Sequence, residues 1–416
     1  MLYNKVRYIS LYMPRGLDTR NPYTPDMGAR PPFLAGRDAE LRHFKEMIGQ
    51  LDAGGTQKHL ILTGLRGVGK TVLLNEFESD CDAAGWPGET RELAQGSRIA
   101  HVIAKAARKA LMEMSATKRA GDAVRRGLGA LKAFTLTLGD ITFRFDVDAL
   151  EGVADSGDLA EDMRDLLVEV GAAAQANGSG FALILDEMQH LAKSDLEALI
   201  VGLHRAKQKN LPVALVGGGL PLLPELTGEA KSYAERGFEF RRIGALDDGA
   251  AAAALEEPAR GQGVNWQLEA VERVVELTEG YPYFLQEYGR VAWRIGDGST
   301  VTRQDVAATE PIALEYLDGN FFSQRIGKLP SAERRYLSAI AALGDGPQRT
   351  GEVAGVLGKD AQDVSVVRDR LIKASLLYVP RRGEVDFTVP LCADHLRRHP
   401  SPPSLEILDE LREERL

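Results

Sequence analysis

The feature that most constrains the fold is a glycine-rich motif of eight residues, GLRGVGKT, at positions 64–71. An apolar run of strand length, Leu60–Thr63, precedes the motif, and a stretch with a helical pattern, Val72–Phe77, follows it. The motif matches the P-loop pattern at every fixed position and stands in the strand–loop–helix context that the pattern requires. A chance glycine-rich turn is the alternative, and motif and context together argue strongly against it.

A P-loop predicts phosphate chemistry. Its glycines let backbone N–H groups turn inward around phosphate oxygens, and the following helix adds the positive end of its dipole. Lys70 can reach the β- and γ-phosphates, and Thr71 can hold magnesium. We therefore expect ATP and magnesium as ligands. The predicted nucleotide contacts in this motif are Gly64, Gly67, Val68, Gly69, Lys70 and Thr71.

A second motif is an apolar strand that ends in two acids, Asp186 and Glu187. In this Walker B arrangement the first acid supports magnesium, and the second orients or deprotonates an attacking water. The alternative is a pair of helix-capping acids at a strand end, and the P-loop makes that alternative less favoured. We predict Asp186 as a metal ligand and Lys70 and Glu187 as catalytic residues, which makes the chain a candidate ATPase.

The composition is that of a folded globular protein. Of 416 residues, 44% are hydrophobic and 27% are charged, which excludes collagen-like and wholly disordered chains. Cys81 and Cys392 have no Cys or His at ligand spacing, so neither a disulfide framework nor a zinc site is expected. Without a bilayer-length apolar run or the apolar core of a signal peptide, we expect a cytoplasmic protein with no membrane partner.

The order of patterns along the chain predicts an α/β fold with a P-loop parallel sheet as its core. Strand-length apolar runs alternate with helical stretches before position 242, whereas the next segment is rich in Ala, Leu and Glu. The predicted segments are an irregular arm (1–30), the P-loop core (31–242), a helical lid (243–328), a winged helix (329–399) and a charged tail (400–416).

Besides the P-loop and the Asp-Glu strand end, two further motifs narrow the class of P-loop protein. They are a Gly36-Arg37-Asp38 box and a Gly280-Tyr281-Pro282 motif. With them the chain resembles the AAA+/STAND ATPases, above all the archaeal-type and initiator-like (origin-recognition-like) branch with a C-terminal winged helix. The resemblance spans about residues 31–398. It implies that Arg37 lies near the adenine and that Pro282 belongs to the nucleotide-contacting lid. From the residues alone, the box is an exposed turn into a helix.

The resemblance also implies residues that sense the γ-phosphate, and the sequence departs from that pattern. The run after Val213 ends in glycines where a polar sensor 1 residue is expected, and the sensor 2 role is vacant or moves to Arg290 or Arg294. Both departures predict slow hydrolysis and a nucleotide-controlled switch. Arg236 resembles an arginine finger in placement, and an ion pair with Glu235 or Glu239 is the alternative.

A basic stretch lies inside the core, within a predicted insertion at about 98–150. Residues 98–132 carry nine Lys or Arg and two Asp or Glu, although the whole chain has a net charge of −9. Such a stretch contacts duplex phosphates, docks on an acidic partner or is simply a solvated helix face. Beyond it, Phe134–Leu138 and Ile141–Phe145 alternate around Gly139-Asp140 and predict a β-hairpin.

The C-terminal segment predicts a helix-turn-helix with a wing. Its recognition helix is expected at Ala361–Ala374, with Arg368, Arg370 and Lys373 facing outward. Residues 331–399 hold eleven basic and nine acidic side chains, so double-stranded DNA contact and a structural role stay open. Three functions remain: a DNA-binding ATP switch, a regulatory or defence switch that acts on a protein partner and self-associates, and a nucleotide-binding protein with little turnover.

Overall fold

The structure is a computed structural model that describes residues 21–26, 28–117, 120–139, 146–230 and 234–400. The chain divides into two compact units. The sheet unit consists of Arg37–Gly64 and Gly69–Ile243, and the helical unit consists of Met1–Gly36, Leu65–Val68 and Gly244–Leu416. The predicted arm at 1–30 and the charged tail lie largely outside the described residues. The described part of the arm, 21–26 and 28–30, contains no helix or strand.

The sheet unit is built on five parallel strands in the order β2-β3-β4-β1-β5. This confirms the predicted α/β fold with a parallel sheet. The three strands expected from apolar runs are present, and they form the buried centre of the sheet. The strands are β1 (His59–Thr63), β2 (Gly88–Glu92), β3 (Phe181–Asp186), β4 (Val213–Gly219) and β5 (Phe238–Arg242).

Eight α-helices surround this sheet among the described residues, and buried residues of five of them, between Ile99 and Ala230, form one core with the strands. Capping fixes several ends: the Asp158 carboxylate accepts hydrogen bonds from the Ala160 and Glu161 amides, which starts the fifth helix. The helices are α1 (Asp38–Asp52), α2 (Lys70–Ala84), α3 (Ile99–Thr117), α4 (Gly121–Leu138), α5 (Leu159–Asn177), α6 (Lys193–Gln208), α7 (Leu223–Ala230) and α8 (Ala234–Gly237).

The predicted β-hairpin at 134–145 is wrong in its first half. Phe134–Leu138 is the last part of α4, because Leu131 and Phe134 lie on one helical face and are fully buried in the core. Gly139, at φ 75°, ends the helix in the left-handed conformation that a turn prediction also fits. The second predicted strand, Ile141–Phe145, lies outside the described residues.

The longest segment of the helical unit starts at Gly244, with the region predicted as a lid. It is mostly helical, and two short strands pair in parallel within it. A π-helical turn, Leu317–Phe322, directly follows the helix that ends at Tyr316. The elements are α9 (Asp248–Arg260), β6 (Asn265–Trp266), α10 (Leu268–Thr278), α11 (Pro282–Ile295), β7 (Thr300–Val301), α12 (Arg303–Tyr316) and α13 (Ser323–Ile326).

The C-terminal region has the element order expected of a winged helix, with a three-stranded antiparallel sheet in the order β8-β10-β9. Its first helix starts at Ser331 with Pro330 as the N-cap residue, and the recognition helix, at Ser365–Lys373, is shorter than predicted. The elements are α14 (Ser331–Leu343), β8 (Gln348–Arg349), α15 (Thr350–Val356), α16 (Ser365–Lys373), β9 (Leu377–Tyr378), β10 (Glu384–Phe387) and α17 (Cys392–Arg398).

Asp318 of the π-helical turn holds α17 in place. His395 Nδ1 and Arg398 Nη2 lie 2.7 and 2.8 Å from its Oδ1, and His399 Nε2 lies 2.9 Å from its Oδ2.

Among the helices that the structure describes, none combines the length and apolar character needed to cross a membrane.

Candidate nucleotide site

The carboxyl ends of three parallel strands bring the predicted motifs of the sheet unit together. The P-loop follows β1, the two acids end or follow β3, and the glycine run ends β4. Because β4 pairs with both β1 and β3, these strand ends lie at one edge of the sheet. Ligands of open α/β sheets bind at this edge.

Lys70 is the first residue of α2, and its amine points back at the loop that precedes it. Lys70 Nζ donates a 2.9 Å hydrogen bond to the Gly64 carbonyl oxygen, and the side chain is 6% exposed. Gly64 N–H in turn donates to the Gly219 carbonyl at 3.0 Å, which ties the start of the loop to the end of β4. Gly69 caps α2 at φ 94°, a conformation that favours glycine.

The Thr71 hydroxyl and the Asp186 carboxylate meet directly. Thr71 Oγ1 donates to Asp186 Oδ2 at 2.6 Å, and Asp186 is 3% exposed. Mg²⁺ prefers hard oxygen ligands of this kind, usually one or two from the protein with waters and substrate phosphates completing the shell. The two residues predicted as metal ligands from separate motifs, 115 positions apart, therefore form a donor set that fits magnesium.

Glu187 follows the strand in the left-handed conformation, at φ 56°. Its amide donates to Asp186 Oδ1 at 2.8 Å, so the two acids are linked through the backbone. The Gln189 side-chain amide donates to the Glu187 carboxylate, and Gln189 Oε1 accepts from the Leu220 amide at 3.1 Å. Gln189 thus connects Glu187 to the end of β4, a role that the sequence pattern did not indicate.

The glycines that end β4 make room for the Walker B residues. A Cβ on Gly218 would lie 2.7 Å from Asp186 Oδ1, and one on Gly217 would lie 2.1 Å from Met188 Sδ. Both separations are shorter than real contacts allow, so a side chain at either position would require Asp186 or Met188 to move. The close approach of these side chains therefore favours the glycines that leave sensor 1 without a polar side chain.

Two residues of the P-loop tip, Arg66 and Gly67, belong to the helical unit. Gly67 adopts φ 79°, and a Cβ on it would lie 3.0 Å from Tyr281 Cε1. The Arg66 amide donates to the Thr388 carbonyl at 3.2 Å, which joins the loop tip to the segment after β10. Val68 is 2% exposed. Sequence motifs gave no sign of the contact with Thr388.

The residues implied by the family resemblance lie in the two units as follows. Arg37 is the N-cap of α1 in the sheet unit and is 8% exposed, whereas Gly36 and Asp38 are exposed, so within the box only the arginine is buried. Gly36 lies beside α9, since a Cβ on it would be 2.7 Å from Ala250 Cβ. Pro282 is the first residue of α11, where its missing N–H costs no helical hydrogen bond.

Three arginines were candidates for contacting the γ-phosphate: Arg236, Arg290 and Arg294. Arg236 is the next-to-last residue of α8, just before β5 begins, and so lies at the end of the sheet opposite the P-loop. Glu239 pairs instead with Arg241 and His43. Arg290 is bound to Glu287 on its own helix, and Arg294 is exposed. Roles for Arg236 in this chain or toward a second copy stay predictions.

The fold and the geometry at the carboxyl ends of the strands define a P-loop nucleotide-binding core. The family model described as AAA ATPase domain matches residues 34–216, and one described as a domain of unknown function (DUF8462) matches residues 319–396. Residues 34–216 are therefore an AAA ATPase domain. None of the curated proteins compared gives a significant match.

Three solved structures illustrate the similarity. A Walker-type ATPase of Pyrococcus abyssi is 17% identical, with a TM-score of 0.53 over 88% of this chain and 97% of its own. Aeropyrum pernix Orc1 in complex with DNA is 20% identical (TM-score 0.44; 92% and 96% covered). A point mutant of Thermotoga maritima RuvB is 15% identical (TM-score 0.43; 88% and 96% covered). At these identities the first match supports the shared fold alone.

Proposed function

We propose that this protein binds ATP with magnesium, hydrolyses it slowly and uses its nucleotide state as a switch. The observation that carries the proposal is the 2.6 Å contact between Thr71 and Asp186, with the buried Lys70 amine at the start of the same helix. The AAA ATPase domain match over residues 34–216 supports the same activity.

Each residue would have a separable task. Bound Mg²⁺, held by Thr71 and Asp186, would neutralise charge on the phosphate oxygens. Lys70 would exchange its bond to Gly64 for phosphate oxygens, and the P-loop amides would hold the remaining oxygens. Glu187, fixed by Gln189, would accept a hydrogen bond from the attacking water and orient it.

Slow turnover is the consequence of two features of the site. β4 ends in glycines, so no side chain there contacts the γ-phosphate. Arg290, a candidate for sensor 2, is held by Glu287 and lies 4.7 Å from the centre of the Tyr316 ring. With fewer groups to stabilise charge in the transition state, a switch is a better account than a fast motor.

For the output of the switch we favour a protein partner or a second copy over duplex DNA. Several basic side chains of residues 98–132 are bound within the sheet unit: Lys109 to Glu89 at 3.4 Å, Arg126 to Glu169 at 3.0 Å, and Lys132 to a backbone carbonyl. On α16, Arg368 pairs with Asp369 at 2.9 Å. Cations that are paired inside the protein contribute less to phosphate binding.

The test separates binding from turnover. Glu187→Gln should bind ATP as the wild type does and hydrolyse it roughly 10²- to 10⁴-fold more slowly, because the amide cannot take a proton. Lys70→Ala should lose roughly 10- to 150-fold in ATP affinity, since a charge-assisted contact disappears. Calorimetric titration and phosphate release measure the two effects, with the exposed Glu46→Gln as control.

Unchanged ATP affinity in a folded Lys70→Ala variant would end the P-loop proposal. Equal turnover in the wild type and Glu187→Gln would remove Glu187 from the reaction. A wild type that binds ATP and releases no phosphate over hours identifies a nucleotide-binding protein without turnover, and the switch would then depend on exchange alone.

A further inference from the structure

A cavity of about 480 Å³ lies in the sheet unit, at the end of the sheet opposite the P-loop. Its lining includes His59 and Phe238, the paired first residues of β1 and β5, and side chains of α6 from Ile200 onward. All of its lining residues belong to this one unit. The volume is ordinary for a site that binds a small organic molecule. The nucleotide site does not account for this cavity, because that site lies at the carboxyl ends of the strands.

The His59 ring brings to the cavity a hydrogen-bond donor that has no acceptor. His59 Nδ1 accepts from the Leu215 amide at 3.1 Å, so in the neutral ring the proton lies on Nε2. Nε2 is buried and has no hydrogen-bond partner among the described residues. A buried donor without an acceptor costs about 1–3 kcal/mol, and native proteins rarely leave such groups unsatisfied. The donor therefore points to a ligand that supplies an acceptor.

The charges at the cavity specify an anion. Lys207 lines it and is partly buried, and burial, together with the nearby Lys58 charge, lowers the pKa of Lys207. The Lys207 charge also acts on His59 and helps to lower the pKa of that ring. Arg236 adds a third basic side chain, and none of the described lining residues is Asp or Glu. A cation removed from water is stabilised by a negative charge beside it.

The wall next to these polar groups is apolar. Ile200 and Leu203 of α6 are 2% and 1% exposed, and Phe238 is 3% exposed. The centre of the Phe238 ring lies 5.6 Å from that of the His59 ring. Such a wall favours the hydrocarbon part of a ligand, since contact with it removes apolar surface from water. Apolar wall and cations together fit an organic anion better than an inorganic one.

We propose that this cavity binds a small organic carboxylate with a hydrocarbon body. The carboxylate would accept a hydrogen bond from His59 Nε2, and the Lys207 ammonium would balance its charge. The hydrocarbon body would lie against Ile200, Leu203 and Phe238. No sequence motif indicated such a site, and the proposal does not depend on nucleotide binding.

The first test titrates the full chain with phenylbutyrate and with its uncharged analogue phenylbutanol by calorimetry. The wild type should bind the carboxylate at least roughly tenfold more tightly than the alcohol, because a charge-assisted contact is lost with the alcohol. Lys207→Gln should weaken phenylbutyrate binding roughly 5- to 20-fold. The control Lys209→Gln removes the same charge at an exposed position that does not line the cavity, and it should change the affinity less than about twofold.

The second test observes the histidine ring directly. In protein labelled with nitrogen-15 histidine, His59→Asn identifies the His59 signals by their loss. Phenylbutyrate should shift the Nε2 resonance of His59 and leave the ring neutral, since Nδ1 stays bonded to the Leu215 amide. Phenylbutanol at the same concentration should shift it much less.

Several outcomes would overturn the inference. Equal affinities for phenylbutyrate and phenylbutanol would identify an apolar cavity without an anion subsite, and equal losses in Lys207→Gln and Lys209→Gln would remove Lys207 from the contact. Orthophosphate that binds as tightly and shifts the same resonance would identify a site for inorganic anions. Neither heat nor a shift at about 10 mM phenylbutyrate would mean that the cavity holds water only.

The test also separates this site from the nucleotide site. Lys70→Ala should lose ATP affinity and keep the wild-type affinity for phenylbutyrate, because the two sites lie at opposite ends of the strands. Loss of phenylbutyrate binding in Lys70→Ala would contradict an independent site.

Discussion

At the residue scale, individual hydrogen bonds position the candidate metal ligands, Thr71 and Asp186. Thr71 and Asp186 could be placed together from sequence, because the P-loop follows one parallel strand and Asp186 ends another, and the carboxyl ends of parallel strands lie on the same side of a sheet. Their roles as ligands stay predictions. The bridge from Gln189 to Glu187 and Leu220 could not be predicted, since it depends on the turn at Glu187, whose positive φ has no sequence signature.

A single added methyl group should disturb the metal site. In Gly218→Ala the new Cβ would lie 2.7 Å from Asp186 Oδ1, so the carboxylate must move away from Thr71. We expect a higher Mg²⁺ concentration for half-maximal ATP hydrolysis and a loss of about 1–3 kcal/mol in unfolding free energy.

The control for that change is Gly49→Ala in α1, where a Cβ meets open space. It should leave the Mg²⁺ dependence unchanged and stabilise the helix by up to about 1 kcal/mol. Magnesium titrations of phosphate release and urea unfolding measure both variants. An Mg²⁺ dependence in Gly218→Ala equal to that of the wild type would show that the Asp186 position is not critical.

At the scale of elements, the paired strands β1 and β4 contain a titratable group. The His59 ring accepts a 3.1 Å hydrogen bond from the Leu215 amide through Nδ1, which requires a neutral ring. Burial, helped by the nearby Lys207 charge, lowers the pKa of His59 to about 3. The neutral ring therefore contributes stability above pH 6.5, and this contribution is lost as the pH falls toward 3.

We expect this one histidine to account for about 2–3 kcal/mol of the stability lost between pH 7.5 and 4.5. His59→Asn keeps an oxygen that can accept from Leu215 and cannot be protonated in this range, so its stability should fall less steeply. Urea unfolding at both pH values provides the measurement, with His204→Asn on the exposed side of α6 as control. Parallel losses in wild type and His59→Asn would contradict the assignment.

The sequence predicted helices and strands correctly where the apolar pattern of a segment matched its burial in the fold. The β1, β3 and β4 runs are apolar and central, and the sequence identified them. The GETRE sequence of β2 is polar because it lies at the edge of the sheet, so no apolar run marked it. The alternating Phe134–Leu138 run became a helix because packing of Leu131 and Phe134 overrode local β-propensity.

At the scale of the whole molecule, a binding experiment can distinguish duplex DNA from a protein as the partner of the proposed switch. Arg125 is exposed on α4, next to Arg126, which is bound to Glu169. We expect the wild-type chain to bind a labelled duplex weakly and Arg125→Glu to change that binding less than about twofold, because Lys109, Arg126 and Lys132 of the same basic stretch are already paired within the protein.

Fluorescence anisotropy at about 50 and 200 mM salt, with Arg303→Glu as the charge-matched control, checks this expectation. Tight wild-type binding that weakens steeply with salt, and a flatter salt dependence in Arg125→Glu alone, would move the output to duplex DNA. Sedimentation with and without ATPγS then tests self-association as the remaining route.

The membership of residues 65–68 in the helical unit affects how this gene can recombine. The chain passes between the two units four times, at 36–37, 64–65, 68–69 and 243–244. A single recombination crossover therefore cannot exchange either unit as a whole, because the new C-terminal part of the helical unit would be combined with the original P-loop tip. The backbone hydrogen bond from the Arg66 amide to the Thr388 carbonyl persists only if the loop tip and the segment after β10 keep their fit, so the two parts of the gene are expected to be inherited together.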